Sequence, residues 1–192
     1  MTNLQPLDAR VSRTRHALFG AIDALLEERD FDSITVKQIC QRASVSKAAF
    51  YQHFDDKYDL VVAWLSAELK PSAHLFTDQN LTVFFNNLLD AMNQHKTQLE
   101  HIMRQPGGNE ELQGKVVDIW LKGFRSYYSD NLPISRQAEI NREMSVIYNC
   151  YGAISLAWWF VKTQPAISQD ELVGHLVSKM QHDRSLFEQG VH

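Results

Sequence analysis

The chain has 192 residues, 44% hydrophobic and 22% charged, with a formal net charge of -4 and a pI near 6.0. That length buries a sizeable core as one body or two small domains, and the composition excludes a disordered, fibrous or strongly basic protein. Its two cysteines, Cys40 and Cys150, are too few for a disulfide framework and lack metal-ligand spacing, so neither a metal nor a cofactor is expected.

Residues 1–9 carry no periodicity and read as a loose arm. A helix is predicted from Val11 to Arg29, with Leu18, Ile22, Leu25 and Leu26 at helical spacing. Two short helices joined by a tight turn follow between Ile34 and Phe54. Thr35 and Gln38 form a capping box for the first, and Ser46 is the N-cap of the second. Val36, Ile39, Ala43, Val45, Phe50 and Phe54 supply a shared buried face, leaving Lys47, Ala48, Tyr51, Gln52 and His53 outside.

Two short helices across such a turn make a helix-turn-helix, whose second helix can enter the DNA major groove. Lys47 and Gln52 suit base edges, while Ala48 and Ala49 are small enough to approach a thymine methyl. Tyr51, His53 and Lys57 suit phosphates, and Thr35, Lys37, Arg42 and Ser46 complete the candidate DNA-binding set. The plainer alternative is a helical hairpin with a solvated polar face. Arg13 and Arg15 stand equally for backbone contacts or solvated arginines. Because the whole chain is acidic, any basic patch must be local. Arg13, Arg15, Lys37, Arg42, Lys47 and Lys57 would form it, against Glu27, Glu28, Asp30 and Asp32.

Asp55 or Asp56 caps a fourth helix carrying Tyr58, Leu60, Val61, Trp64, Leu65 and Leu69 until Pro71. A polar boundary spans Pro71 to Asn80, and a helical pattern then runs through Leu81, Phe84, Phe85, Leu88, Leu89, Met92, Leu99, Ile102 and Met103. Pro106-Gly107-Gly108-Asn109 breaks the chain; it follows no strand and lacks a Gly-Lys-Ser/Thr ending, which argues against a phosphate loop. A further helix covers Glu110 to Tyr128, closed by Asn131-Leu132-Pro133.

From Ser135 to Thr163, the residues Ile140, Met144, Ile147, Tyr151, Ile154, Trp158 and Val161 recur in alternating steps of four and three, a seam suited to another helix. A second stripe of Val146, Cys150, Ala153, Ala157 and Phe160 lies on the other side, so this helix should be buried on both. Pro165 stops it, and Ser168 with Glu171 caps a last helix carrying Leu172, Val173, Leu176, Val177 and Met180. The expected fold is all-α. There is no apolar signal core, and the longest apolar run, Ala153 to Val161, fits a buried helix; a cytoplasmic protein without a membrane partner is expected. No nucleophile, zinc or dinucleotide fingerprint occurs in context, so no enzyme is expected.

Arg13 to Leu60 resembles the N-terminal domain of TetR/AcrR-family transcriptional regulators. The matching residues are Arg13, Arg15, Leu18, Ala21-Ile22, Leu25-Leu26, Phe31, Thr35, Val45-Ser46-Lys47, Phe50-Tyr51, His53-Phe54, Asp56-Lys57 and Leu60. Ser44 and Asp30 stand where the family usually has glycine, and Cys40 where alanine is common. Serine pays for positive φ, so about 1 kcal/mol of strain is expected at Ser44.

The resemblance implies a helix-turn-helix domain over residues 1–56 and a helical effector-binding and dimerisation domain over 57–192. It implies a homodimer joined by the last two helices, with Ile140, Met144, Ile147, Tyr151, Ile154, Trp158, Leu172, Leu176 and Met180 at the interface. It also implies an internal pocket, for which Phe85, His101, Trp120, Phe124, Tyr127 and Tyr148 are the candidates, holding an unknown small-molecule or protein effector. The function so implied is a repressor on a palindromic double-stranded operator, with the fourth helix linking effector to DNA spacing. Trp158-Trp159, Pro165 and Ser168 to Leu172 also resemble a subgroup that includes activators of dihydroxyacetone kinase operons. An activator controlled by a partner protein, or a helical adaptor that has lost DNA binding, are the alternatives.

Overall fold

The computed structural model describes residues 5–69, 76–104, 110–129 and 135–188. Among these residues all regular structure is helical: α1 (Gln5–Glu28), a 3-10 turn (Phe31–Ser33), α2 (Val36–Ala43), α3 (Lys47–Tyr51), α4 (Lys57–Glu68), α5 (Leu81–Gln94), α6 (Lys96–Met103), α7 (Glu110–Tyr127), α8 (Arg136–Thr163) and α9 (Gln169–Glu188). The expected stops at Pro71, Pro106 to Asn109 and Asn131 to Pro133 lie outside the described residues.

Two boundaries differ from expectation. Helix α1 begins at Gln5, so residues 5–9 belong to it; Pro6 falls in its first turn, where a missing N–H costs nothing. The pattern from Leu81 to Met103 is broken at His95, whose backbone leaves the helical region at φ -105°, ψ 27°.

The chain groups into two units that are discontinuous in sequence: residues 1–67 with 97–112, and residues 68–96 with 113–192. By contacts, most of α4 therefore groups with the helix-turn-helix, and so does α6. In the first unit Leu18, Ile22, Leu26, Phe31, Ile34, Ile39, Phe50, Leu60, Val61 and Trp64 are buried. Each such side chain contributes about 1.5–3 kcal/mol by leaving water.

Helix α6 joins this unit through a polar seam on one face of α1. The buried Gln98 amide donates to Asp23 at 3.0 Å and Glu27 at 3.4 Å. His101 Nδ1 contacts the Leu26 carbonyl at 2.5 Å, and Asp30 lies 3.5 Å from Arg104 and 3.8 Å from His101 Nε2.

In the second unit, α5, α8 and α9 pack together. Its core contains Phe84, Phe85, Trp120, Phe124, Tyr127, Tyr128, Val146, Cys150, Ala153, Ala157 and Val161. Asn149 is buried among them and donates to Asp183 of α9 at 2.8 Å and to the Ser145 carbonyl at 2.9 Å, satisfying an amide that burial would otherwise penalise.

Helix α8 is apolar on both sides, as the sequence pattern requires, but among the described residues only one side is covered. Ile140, Met144, Ile147 and Tyr151 remain exposed, while Ile154 and Trp158 are half-buried. By length and composition alone α8 could cross a membrane, contrary to the expectation that no segment approaches that length. Its apolar character is the sum of two stripes: Val146, Cys150, Ala153 and Ala157 of the second are buried in the core, and so is Val161, which the spacing placed in the first.

Candidate nucleic-acid interface

The helix-turn-helix is held by local chemistry. Thr35 Oγ1 accepts from the Gln38 amide at 3.3 Å, and Gln38 Oε1 accepts from the Thr35 amide at 2.8 Å, completing the capping box. Ser46 Oγ accepts from the Ala49 amide at 3.1 Å and starts α3. Between them Ser44 adopts φ 55°, ψ 40°, the left-handed geometry anticipated there. Asp30 does not share it: its backbone is extended at φ -63°, ψ 141°, so replacing the usual glycine costs no strain at that position.

Buried Phe50 and Phe54 face the core, and their rings lie 5.9 Å apart. Lys47, Ala48, Tyr51 and Gln52 are exposed together, with Tyr51 56% accessible and its ring edge-on to Phe50 at 5.3 Å. Ala49 and His53 are half-buried beside them. Thr35, Lys37, Arg42 and Ser46 are exposed on the flanks.

Two of the expected phosphate-facing cations are engaged within the protein. Arg42 pairs with Glu28 at the end of α1 at 2.8 Å, and Arg29 approaches the same carboxylate at 3.2 Å. The hydrogen bond from Arg42, then that from Arg29, holds the Glu28 carboxyl below its ordinary range. Lys57 turns inward: its ammonium donates to the carbonyls of Ile34, Phe31 and Asp32. Burial pushes its pKa down, partly offset by Asp32. Arg15 lies 5.2 Å from the Phe19 ring centre and 5.7 Å from that of Phe54, which fixes a cation beside the C-terminal side of α3. Pattern reading set Glu28 in the opposing acidic cluster but could not pair it with Arg42, which comes from another helix.

The six expected pocket residues divide between the two units and differ in exposure. Phe85, Trp120 and Phe124 are buried packing residues in the second unit. His101 belongs to the first unit, on the α1 seam, and Tyr148 is 69% exposed beneath the Lys179 ammonium. Tyr127 alone of the six borders the open groove of about 510 Å³ formed by Phe76, Thr77, Asp78, Gln79, Ser126, Tyr127, Ser129 and Arg184. There Tyr127 donates to Asp78 at 2.5 Å and Arg184 approaches the other carboxylate oxygen at 3.4 Å.

The expected interface residues divide by helix. Those of α8 form the uncovered face already described, whereas Leu172, Leu176 and Met180 of α9 are buried inside the chain. Their stripe is used by α9 to pack on α5 and α8, and the sequence pattern carries no mark distinguishing that use from packing on a second copy. Among the described residues no cluster of metal-ligating side chains occurs.

Residues 18–64 match the sequence model of the tetR family of bacterial regulatory proteins. A 56-residue stretch is 39% identical to YxbF of Bacillus subtilis (strain 168), described as an uncharacterized HTH-type transcriptional regulator; the match covers 29% of this chain and only 15% of that protein. Across nearly the whole chain, the fold is similar to a tetR-family regulator from Streptomyces coelicolor (TM-score 0.60, 19% identity, 92% of this chain and 82% of that one). It is similar too to a TetR regulator from Streptococcus agalactiae 2603V (TM-score 0.58, 16% identity, 93% and 99%). A third similar structure is NalD of Pseudomonas aeruginosa, the secondary repressor of the MexAB-OprM multidrug efflux pump (TM-score 0.54, 17% identity, 90% and 96%). These likenesses of the whole chain are of fold, while the N-terminal match is of sequence. The N-terminal stretch is thus similar in sequence to the tetR family, and the helical body is similar in fold to TetR-family regulators.

Proposed function

We propose that this protein is a cytoplasmic transcriptional repressor that binds a palindromic operator as a homodimer, one helix-turn-helix in each of two successive major grooves. The observation that carries the reading is the capped α3 with Lys47, Ala48, Tyr51 and Gln52 exposed on one edge over a buried Phe50 and Phe54. Lys47 and Gln52 read base edges, Ala48 and Ala49 admit close approach, and Tyr51, His53, Thr35, Lys37 and Ser46 hold the backbone. Arg42 joins them when a phosphate replaces Glu28 as its partner. The role is regulatory and not enzymatic.

Support for the dimer comes from the exposed Ile140, Met144, Ile147 and Tyr151 on α8, which a twofold partner would cover with the same residues. An effector, small molecule or protein, acts on the body and favours one spacing of the two heads over another. The groove at Asp78, Tyr127 and Arg184 offers it a carboxylate, a phenol and a guanidinium.

Selection from a randomised duplex pool, followed by mobility shifts on the enriched sequence, tests the reading. The expected product is an inverted repeat bound by the wild type. Tyr51→Ala should weaken all sequences alike, whereas Gln52→Ala or Lys47→Ala should relax preference at one base pair, each by about 1–3 kcal/mol. No duplex binding by the wild type at low salt rejects the proposal.

A further inference from the structure

The chain enters the helix-turn-helix through Ile34 and leaves it at Lys57, the first residue of α4. One side chain ties exit to entrance. The Lys57 ammonium donates to the carbonyls of Ile34 at 2.9 Å, Phe31 at 3.0 Å and Asp32 at 3.3 Å. An ammonium has three donors and no acceptor, so these carbonyls use its full capacity. The same ammonium lies 4.4 Å from the centre of the buried Phe31 ring, and Tyr58 meets that ring edge-on at 5.2 Å. Lys57 and Tyr58 therefore grip the 3-10 turn that leads directly into Thr35 and the capping box of α2.

We propose that Lys57 is a positioning residue for DNA recognition and not a phosphate ligand: its ammonium tripod closes the loop that contains α2 and α3, and so sets their angle to α4. This rests on the DNA-binding reading above. A residue that acted by charge would project its ammonium into solvent, where a phosphate could reach it. Here the donors are already spent on backbone that moves with α2. Loss of the tripod frees the two recognition helices to rotate together against α4, while their own caps and turn stay intact.

The test uses the full chain and the operator selected for the wild type, with Lys57→Arg and Lys57→Gln compared by fluorescence anisotropy between about 50 and 200 mM salt. Arginine keeps the charge, but its planar fork cannot converge on three carbonyls from one nitrogen. Both variants are therefore expected to lose about tenfold in operator affinity, comparable to one well-placed base contact, with the salt slope unchanged. Wild-type affinity in Lys57→Arg, or a slope reduced by about 0.9 in Lys57→Gln, as for one lost phosphate contact, overturns the proposal.

Acetylation of the wild-type protein, read by mass spectrometry, does not depend on the variants folding. Lys57 should be protected equally with and without DNA, whereas Lys37 and Lys47 react in the free protein. Reaction of Lys57 at their rate in the free protein also overturns it. Failure of the wild type to bind any duplex rejects the DNA-binding reading instead, and leaves the acetylation result to judge the tripod.

Discussion

Gly123 of α7 lies directly beneath the ring of Phe76, in contact too close for a Cβ atom. Phe76 is buried there, 4.4 Å from the Phe84 ring and 5.2 Å from that of Phe124, centre to centre. The absent side chain is what admits the ring. Gly123→Ala should destabilise the protein by about 1–3 kcal/mol, because the displaced ring has packed neighbours on its other sides. Urea denaturation measures the loss, and adding Phe76→Leu should recover part of it. An unchanged midpoint in Gly123→Ala would show that the ring moves freely.

Ser44 and Gln164 both hold positive φ, 55° and 46°, without being glycine. Ser44→Gly should stabilise the fold by about 0.5–1 kcal/mol, the steric relief being partly offset by a freer unfolded chain. Ser44→Ala should change little, since it keeps the Cβ that causes the strain. The backbone amide of Ser44 still bonds to Cys40 and Gln41 in either case, so operator affinity should stay constant. Thermal melts of the two variants decide it.

Alkaline pH should destabilise the body. Burial pushes the Cys150 thiol from 9.0 up to about 12. Burial also raises Tyr127 and Tyr128 above 10.0, assisted by Asp78 and Asp183 respectively. These groups keep their protons in the fold while the unfolded chain releases them. Their contribution is therefore complete below about pH 9 and is lost progressively as pH rises towards the folded-state values. Cys150→Ala should flatten the fall in stability by up to about 1.4 kcal/mol per pH unit within that window. Denaturation curves from about pH 8 to 11 check this, and an unaltered slope would remove Cys150 from the account.

The two last helices should respond differently to substitution. Met144→Glu or Ile147→Glu places a charge on the exposed face of α8, twice in a twofold dimer, and should shift sedimentation towards monomer while the fold survives. Leu176→Ala instead opens a cavity inside the chain and should cost about 2–5 kcal/mol of stability. A monomeric wild type, or Glu variants that remain dimers, would show that this face has another use.

What could be read from the residues follows the range of the interactions. The caps at Thr35 and Ser168 and the N-cap at Ser46 are formed by neighbours in sequence, and all three occur where the pattern placed them. Periodicity also identified both stripes of α8. It could not assign the α9 stripe, because Leu172, Leu176 and Met180 look alike whether they meet α5 or another subunit. Nor could charge type reveal that Arg42 answers Glu28, or that Lys57 answers three carbonyls. Chemistry grouped His101 and Tyr148 with Trp120, and could not reveal that His101 belongs to the first unit or that Tyr148 is exposed.

The polar seam of α6 on α1 has a further consequence, for how this protein can be divided. Gln98, His101 and Arg104 supply partners to Asp23, Glu27, Leu26 and Asp30, yet they stand beyond α5 in the chain. The reading head is thus no cassette. A fragment ending after α4 would keep the helix-turn-helix and lose the helix that satisfies those carboxylates. A fusion that borrows this head must carry the chain through α6, or replace the seam with partners of its own.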